Sequence, residues 1–242
     1  MNDAPERTLP SDQMQCWYND TDYAPEARWR TFDPKRAALV LVDLINWQAD
    51  PQGASLMAVR ESGAEEKVDY ITRRCADLLI PKLKQVMSAA RKAGVQVIHS
   101  RLVSRHPDYA DIVPGFRPYM RAAGAMEGSW GAQVLPQLGE EPGDISVIKT
   151  GSGAFGGSEL DFVLRRMNIR TILYAGVLTN ACVMLSATAG FDLGYRQYLI
   201  SDCTAALSDE DQADTERLLN NYIAEVVTAD DVLSVLRMRE SI

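Results

Sequence analysis

The chain has 242 residues, 46% of them hydrophobic and 24% charged, with a formal net charge of -8 at pH 7 and a pI near 4.9. These values are typical of a soluble globular protein that is long enough to bury one large core. The acidic balance argues against nucleic acid or an anionic membrane as a partner, because both attract basic surfaces. Chemistry on a small molecule and contacts with other proteins remain.

The first 36 residues differ from the rest of the chain. They show no hydrophobic period and are rich in Pro, Asp and Arg, yet they carry the aromatic residues Trp17, Tyr18, Tyr23 and Trp29. We predict an N-terminal arm over residues 1–36 and one domain over residues 37–242. The arm is either disordered or packed on a surface, such as that of a neighbouring subunit.

The start of the chain is polar and lacks the features of a secretory signal, and no apolar run approaches the roughly 20 residues of a membrane span. We therefore expect a cytoplasmic protein without a membrane partner. Its cysteines are too scattered for a disulfide scaffold, which favours free thiols. With two histidines in the chain, a histidine-based metal site is not expected. The cysteines are Cys16, Cys75, Cys182 and Cys203, and the histidines are His99 and His106.

Short apolar runs rich in β-branched residues recur along the domain, and helical stretches separate most of them. The runs span residues 37–43, 95–101, 145–150, 171–177, 196–202 and 224–228. Alternation of this kind predicts a three-layer α/β/α Rossmann-like fold, with helices on both faces of a mostly parallel six-stranded sheet.

Local signals mark several boundaries. Gly94 and Gly194 stand where a helix would end in a left-handed cap, and Ser208 precedes three acidic residues that favour a helix start. Residues 103–143 contain several Pro and Gly, which is more typical of a binding loop or lid than of a linker.

Ligands of open parallel sheets bind beyond the carboxyl ends of the strands. In this chain, Asp43, Arg101, Lys149, Asp202 and the loop after Val177 occupy those positions. The pattern therefore predicts the functional site among them.

The segment VIKTGSGAFGGSEL contains G-x-G-x-x-G at Gly151, Gly153 and Gly156. A dinucleotide site also needs an acidic residue about 20 positions later, and the next strand, TILYAGV, ends without one. An NAD- or FAD-binding oxidoreductase is therefore only a lower alternative, and we expect the glycines to permit a tight turn. Lys149, just before them, either pairs with Asp43 or points into solvent.

Cys182 follows a buried strand and falls in the first turn of a helix that Thr179 or Asn180 is placed to cap. Backbone N–H groups and the helix dipole favour an anion there, so we predict a reactive thiol that is biased toward thiolate. The alternative is a small buried hydrophobe, which is how we interpret the other three cysteines.

Three motifs together resemble the isochorismatase-like cysteine hydrolases: VLVDLINW with Asp43, VIKTGSGAF with Lys149 and AGVLTNACV with Cys182. The resemblance implies that these three residues form a catalytic triad. It also implies a cis peptide bond between Val177 and Leu178, and an oxyanion hole formed by the backbone N–H groups of Leu178 and Cys182. Some members lack the cysteine and cleave a vinyl ether, so its presence here favours amide hydrolysis.

The chain departs from the family pattern after Asp43, where many members have Met-Gln-Asn. The metal-binding nicotinamidases also have an Asp and two His near the site, and this chain has no such set after Asp43. The segment VIHSRLVSRHPDYADIVP, in contrast, is similar to that of biuret and related ureido hydrolases. The alternatives to substrate contact are pairing with an acid for Arg101, loop capping for His106 and core packing for Trp130. The predicted substrate-binding residues are Asn46, Trp47, Gln48, Arg101, Arg105, His106, Trp130 and Phe155.

The resemblance implies a cysteine-dependent amidohydrolase of linear amides that releases ammonia through a thioester, without a metal or other cofactor. We expect biuret-like, triuret-like or N-carbamoyl substrates first, and maleamate, ureidoacrylate or nicotinamide types as alternatives. A non-catalytic member of the fold is a further alternative. Relatives are often dimers or tetramers, which implies a homodimer or homotetramer.

Overall fold

A computed structural model describes Trp29, residues 32–220 and residues 222–240 of the chain. Within this part, six strands form one sheet: β1 (Ala37–Val42), β2 (Gln96–Leu102), β3 (Ile145–Lys149), β4 (Thr171–Val177), β5 (Arg196–Ala205) and β6 (Glu225–Val227). Their order is β3-β2-β1-β4-β5-β6, and every neighbouring pair is parallel.

This is a doubly wound order, in which the chain builds the sheet first on one side of β1 and then on the other. The predicted α/β fold with six parallel strands is confirmed. The ends of five strands lie within one residue of the prediction, whereas β5 continues for three residues beyond residue 202. The crevice at which the strand order reverses lies between β1 and β4, where such sheets bind their ligands.

The described residues form nine α-helices around this sheet, and π-helical turns at Cys75–Leu79 and Thr179–Val183 lead into two of them. The helices are α1 (Asn46–Ala49), α2 (Ala54–Glu61), α3 (Glu65–Arg74), α4 (Ile80–Ala93), α5 (Arg117–Ala122), α6 (Leu160–Arg166), α7 (Met184–Asp192), α8 (Asp209–Leu219) and α9 (Ala229–Glu240). Among the helices described, none is both long and apolar enough to cross a membrane.

The helix boundaries follow the predicted signals. Gly94, after α4, and Gly194, after α7, both have a φ of 84°, the left-handed conformation that glycine adopts without a Cβ penalty. The Ser208 side chain accepts the N–H of Asp211 at the start of α8. The helical segment over residues 65–94 is divided by the first π-helical turn, and Pro81 lies in the first turn of α4, where proline is tolerated.

Hydrophobic clusters cover both faces of the sheet. The helices α3, α4 and α9 pack on one face through residues such as Val86 and Val232, and α6, α7 and α8 pack on the other through residues such as Leu164 and Ala187. The strands β1 and β4 are buried along their whole length because both faces are covered. This burial explains why their sequences are continuous apolar runs.

Only one of the four aromatic residues that characterise the predicted arm lies within the described part. The Trp29 ring stacks on Tyr198 of β5 in the same chain, with ring centroids 4.4 Å apart. The other three, Trp17, Tyr18 and Tyr23, lie outside the described residues, as does Cys16. The division into arm and domain and the homo-oligomer therefore stay predictions.

Candidate active site

Asp43 follows the last residue of β1 and is completely buried. Its backbone has a φ of 53°, in the left-handed region that Asp tolerates better than most residues. Its N–H donates to the carbonyl oxygen of Ser100 at 2.9 Å, and its Oδ1 accepts the backbone N–H of Leu102 at 2.8 Å. Two contacts with β2 therefore fix the carboxylate at the carboxyl edge of the sheet.

Lys149 is the last residue of β3 and is also completely buried. Its Nζ lies 2.8 Å from Asp43 Oδ2, so its side chain reaches past the intervening strand β2 to pair with the acid after β1. The same Nζ donates to the carbonyl oxygens of Gly151, at 3.2 Å, and of Ser152. A buried ammonium needs partners of this kind, and the alternative of a solvent-facing lysine is excluded.

Cys182 lies in the π-helical turn Thr179–Val183 between β4 and α7, and 6% of its surface is exposed. Its Sγ is 3.4 Å from Ser152 Oγ, and the carboxylate of Asp43 is near enough to raise the pKa of its thiol. The structure thus brings together the three residues that the sequence predicts as a triad. Asp43 pairs with Lys149 and acts electrostatically on the thiol of Cys182.

The ionisation of Cys182 differs from the prediction. Burial and the negative charge of Asp43 raise the pKa of the thiol to about 11, against the opposing effects of Lys149 and Ser152. At pH 7, thiolate is then on the order of one part in ten thousand. The expected bias toward thiolate is therefore wrong for this structure, because desolvation and a neighbouring carboxylate outweigh the helix start. The proton stays on sulfur beside a base that can accept it.

The glycine-rich loop after β3 packs tightly against itself and against α7. The N–H groups of Thr150 and Gly151 both donate to the carbonyl oxygen of Gly156, at 3.1 and 2.9 Å. A Cβ at Gly153 would lie 3.1 Å from the backbone of Leu185, so glycine permits the close approach to α7. The loop follows the edge strand β3, and the N–H groups of Thr150 and Gly151 are bonded within the loop. These N–H groups are therefore not available to bind the phosphates of a dinucleotide.

A serine ties this loop to the cysteine. The hydroxyl of Ser186, on α7, donates to the carbonyl oxygen of Cys182 and accepts the N–H of Ala154 at 2.7 Å. Ser186 is completely buried. Ser186 therefore links the loop after Lys149 to the turn that holds Cys182.

The peptide bond between Val177 and Leu178 is cis, which is the geometry that the resemblance implies. The next residue, Thr179, does not cap the helix as predicted, nor does Asn180, since the turn has no side-chain cap. The Thr179 hydroxyl instead donates to Oε1 of Gln212, on α8, at 2.7 Å. The assignment of the Leu178 and Cys182 N–H groups to an oxyanion hole stays a prediction.

Gln212 holds this turn against the neighbouring strand. It is 4% exposed, and its Oε1 also accepts the N–H of Ala206 at 3.0 Å. Its Nε2 donates to the hydroxyl of Thr204 and to the carboxylate of Glu216. Every polar atom of this buried amide is thus satisfied, which makes it a rigid support for the turn that carries Cys182.

The predicted wall residues after Asp43 are buried in α1. Asn46 Nδ2 donates to the carbonyl oxygen of Trp130 at 2.9 Å, and the indole N–H of Trp47 donates to that of Leu102 at 2.9 Å. Asn46 Oδ1 and Gln48 Nε2 are buried and have no hydrogen-bond partner among the described residues. One acceptor and one donor are therefore unsatisfied close to Asp43 in the chain.

The predicted arginines differ in their surroundings. Arg101 is half-buried, donates through Nη1 to the carbonyl oxygen of Ala132 at 3.2 Å, and has a buried Nε without a hydrogen-bond partner in the described part of the chain. Arg105 is half exposed and lies 3.6 Å from Glu159 and 3.9 Å from Glu127. Arg101 therefore keeps a free donor, whereas Arg105 has carboxylate neighbours at the surface.

The remaining predicted contacts have local partners. His106 is exposed, and its Nδ1 accepts the N–H of Asp108 at 3.1 Å, as the loop-capping alternative requires. Trp130 is 51% exposed, so it is not packed in the core. The Phe155 ring stacks on Tyr195 at 5.9 Å between centroids. Contact of these residues with a substrate stays a prediction.

Asp202 does not belong to the site. Because β5 runs on to Ala205, Asp202 lies within the strand, and its Oδ1 accepts the N–H of Ala229 at the start of α9 at 2.7 Å. Conversely, sequence reasoning missed Ser152, Ser186 and Gln212. The position of Ser152 three residues after Lys149 was an available signal, whereas the other two are set by packing between distant segments.

The fold and the site define an α/β protein in which a buried carboxylate–lysine pair lies beside a cysteine thiol. The chain belongs to the isochorismatase family, since residues 72–231 match the model of the isochorismatase domain. As a member of that family it is a hydrolase, and the predicted family resemblance is confirmed.

Individual relatives agree with this assignment. The chain is 36% identical over 120 residues to an uncharacterized isochorismatase family protein, YwoC, of Bacillus subtilis, an alignment that spans 50% of this chain and 63% of YwoC. It is 29% identical to the ureidoacrylate amidohydrolase RutB of Agrobacterium fabrum, over 85% of this chain and 92% of RutB. A cysteine hydrolase from Pseudomonas syringae pv. phaseolicola has the same fold, with a TM-score of 0.74 and 24% identity over 86% of this chain and 95% of that one.

Proposed function

We propose that this protein is a cysteine-dependent amidohydrolase that cleaves a C–N bond of a small amide or ureido compound and releases ammonia. The observation that carries the proposal is the position of Cys182 beside the buried pair of Asp43 and Lys149, whose charged groups are 2.8 Å apart and both act on the pKa of its thiol. A base, a nucleophile and a fixed cation in contact are the groups that acyl transfer requires. All three are more than nine-tenths buried, which strengthens their electrostatic interactions.

In the first half of the reaction, Asp43 takes the thiol proton as sulfur attacks the carbonyl carbon, and the C=O electrons move onto oxygen. Backbone N–H groups of Leu178 and Cys182 would stabilise that oxyanion, an effect worth about 2.7–4 kcal/mol per donor in a studied hydrolase. Asp43 then returns the proton to the leaving nitrogen as the C–N bond breaks. Ammonia leaves, and the acyl group stays on Cys182 as a thioester.

In the second half, Asp43 takes a proton from water, whose oxygen attacks the thioester carbonyl. The C–S bond breaks, the acid product leaves, and the proton returns to sulfur. Lys149 takes no part in these proton transfers and holds Asp43 in place, with its Nζ beside the carboxylate and two carbonyl oxygens. The sum of the two halves is amide plus water giving acid plus ammonia.

Biuret-like, triuret-like or N-carbamoyl compounds come first as substrates. These small molecules present N–H donors and C=O acceptors together, and the unsatisfied Asn46 Oδ1, Gln48 Nε2 and Arg101 Nε supply the complementary atoms. The alignment with RutB, which is named a ureidoacrylate amidohydrolase, also favours a ureido group. Maleamate, ureidoacrylate and nicotinamide types form the second group.

The test is ammonia release by the purified protein from a panel of ureido compounds and carboxamides. We expect turnover of at least one ureido compound, and Cys182→Ala should abolish it. Cys75→Ala is the matched control, because Cys75 is a buried free thiol in the π-helical turn before α4. Ammonia release that persists in Cys182→Ala at the wild-type rate would reject the mechanism.

A further inference from the structure

Ser152 contacts both of the residues that act with Asp43. Its Oγ lies 3.4 Å from Cys182 Sγ, and its backbone carbonyl oxygen accepts a hydrogen bond from Lys149 Nζ. It stands between two glycines in the loop after β3 and is half-buried. The proposed reaction as written so far gives its hydroxyl no role.

We propose that Ser152 is a further catalytic residue, whose hydroxyl donates a hydrogen bond to the sulfur of Cys182 and stabilises it whenever it carries negative charge. The proposal rests on the proposed function, in which Cys182 is the nucleophile. It concerns a neutral donor to sulfur, separate from the backbone donors to the substrate oxygen.

The direction of this hydrogen bond follows from the charge on the sulfur. In the resting thiol either atom can be the donor, but a thiolate carries no proton and can only accept. The Ser152 hydroxyl has no second hydrogen-bond partner within the described residues, so its proton is available to the sulfur. The hydroxyl is therefore the donor whenever the sulfur is anionic.

Sulfur becomes anionic twice in each turnover. The first time is when Asp43 has taken the thiol proton, and the second is when the C–S bond of the thioester breaks. A hydrogen bond to an ion is stronger than one to a neutral atom, so the hydroxyl stabilises both anions more than the resting thiol. Because Cys182 is buried, little water reaches its sulfur to donate a hydrogen bond in place of the Ser152 hydroxyl.

A purely structural role for Ser152 can be separated from this one. The contact with Lys149 uses the backbone carbonyl, which any residue at this position keeps. Ser152→Ala therefore removes the hydroxyl alone. Ser158→Ala is the matched control, because Ser158 lies in the same loop and donates its hydroxyl to the carbonyl oxygen of Ala154, with no contact to sulfur.

The experiment compares the wild type, Ser152→Ala, Ser152→Thr and Ser158→Ala. The rate of Cys182 alkylation by iodoacetamide is followed by peptide mass from pH 7 to pH 10, along with kcat, KM and thermal melting. We expect Ser152→Ala to slow alkylation about three- to tenfold at each pH, since the loss of thiolate is partly offset by higher nucleophilicity. Its kcat should fall by a similar factor while KM stays within about twofold, the pattern for an interaction made in the transition state.

Ser152→Thr keeps the hydroxyl and should stay near the wild-type rates, as should Ser158→Ala. Equal alkylation rates and equal kcat in Ser152→Ala and the wild type would overturn the proposal, as would an equal loss in Ser158→Ala, which would point to loop disruption. If Ser152→Ala does not fold, Ser152→Gly also removes the hydroxyl and is judged by the same criteria. Persistent turnover in Cys182→Ala would sink the proposed function instead, so the two failures are distinguishable.

Discussion

The ion pair between Lys149 and Asp43 gives a quantitative test of the site's structure. Neither side chain is exposed, and the two charged groups are 2.8 Å apart. Lys149→Met removes the cation but keeps a side chain of similar length, which leaves the carboxylate buried with the backbone N–H of Leu102 as its remaining strand contact. Removal of one partner of a buried pair costs about 3–5 kcal/mol. We therefore expect the free energy of unfolding to fall by about that amount.

The assay is urea unfolding followed by circular dichroism at pH 8, with the double variant Asp43→Asn/Lys149→Met alongside. The double variant leaves no unpaired charge, so it should lose less stability than Lys149→Met alone. Lys82→Met is the control, because the partly exposed Lys82 makes a 2.8 Å ion pair with an exposed partner, Asp230, and its loss should cost far less stability than the loss of the buried cation. A loss below about 1 kcal/mol in Lys149→Met, or a double variant less stable than it, would refute the reasoning.

Three further predictions concern the sheet, the turn and the thiol. In Gly176→Ala, a Cβ would clash with the backbone carbonyl oxygen of Val42, at a φ of 128°, so urea unfolding should show a loss of about 3 kcal/mol or more. In Gln212→Ala, the buried Thr179 hydroxyl and the N–H of Ala206 lose their acceptor, so the free energy of unfolding should fall by about 2–3 kcal/mol, and kcat should fall with it. Because the pKa of Cys182 is raised to about 11, its alkylation at pH 7 should be about 20-fold slower than that of a cysteine peptide, and should rise steadily to pH 10.

Each of these has a control and a contrary outcome. Gly115→Ala should unfold like the wild type, since its Cβ would meet nothing within 4 Å, and equal stability of Gly176→Ala would contradict the packing argument. The exposed Gln85→Ala should change stability by less than about 0.5 kcal/mol, and an equally mild effect in Gln212→Ala would deny it a supporting role. A high alkylation rate of Cys182 that does not change between pH 7 and pH 10 would show that the residue is a thiolate. It would restore the prediction, drawn from the helix start, that the thiol is biased toward thiolate.

The sheet and its ends were predictable because their signals are local. Runs of β-branched residues define the strands, and a parallel sheet gathers the residues after β1, at the end of β3 and after β4 at one edge. Their positions therefore made Asp43 and Lys149 candidate partners, and the structure decides between this pairing and a solvent-facing lysine. The end of β5 was not, because Asp202 resembles a strand-end acid, whereas its carboxylate holds the N–H at the start of α9.

The details that decide the chemistry depend on contacts between distant segments. The pKa of Cys182 is set by burial and by an acid 139 positions away in the chain, so the helix start alone gives the wrong sign. Gln212 comes from α8 and meets the turn after β4 only when both pack beside β5. Ser152 lies in a loop whose glycines first suggest a nucleotide, and only the folded arrangement brings its hydroxyl to sulfur.

The most direct test of the central claim is the mass of the peptide that contains Cys182 during turnover. The enzyme is mixed with its best ureido substrate or carboxamide, quenched in acid within milliseconds, and digested. We expect a transient increase equal to the substrate's acyl group on Cys182, appearing with the first ammonia and disappearing after the substrate is consumed. Ammonia formed in the first turnover while Cys182 stays unmodified at every time point would contradict the account.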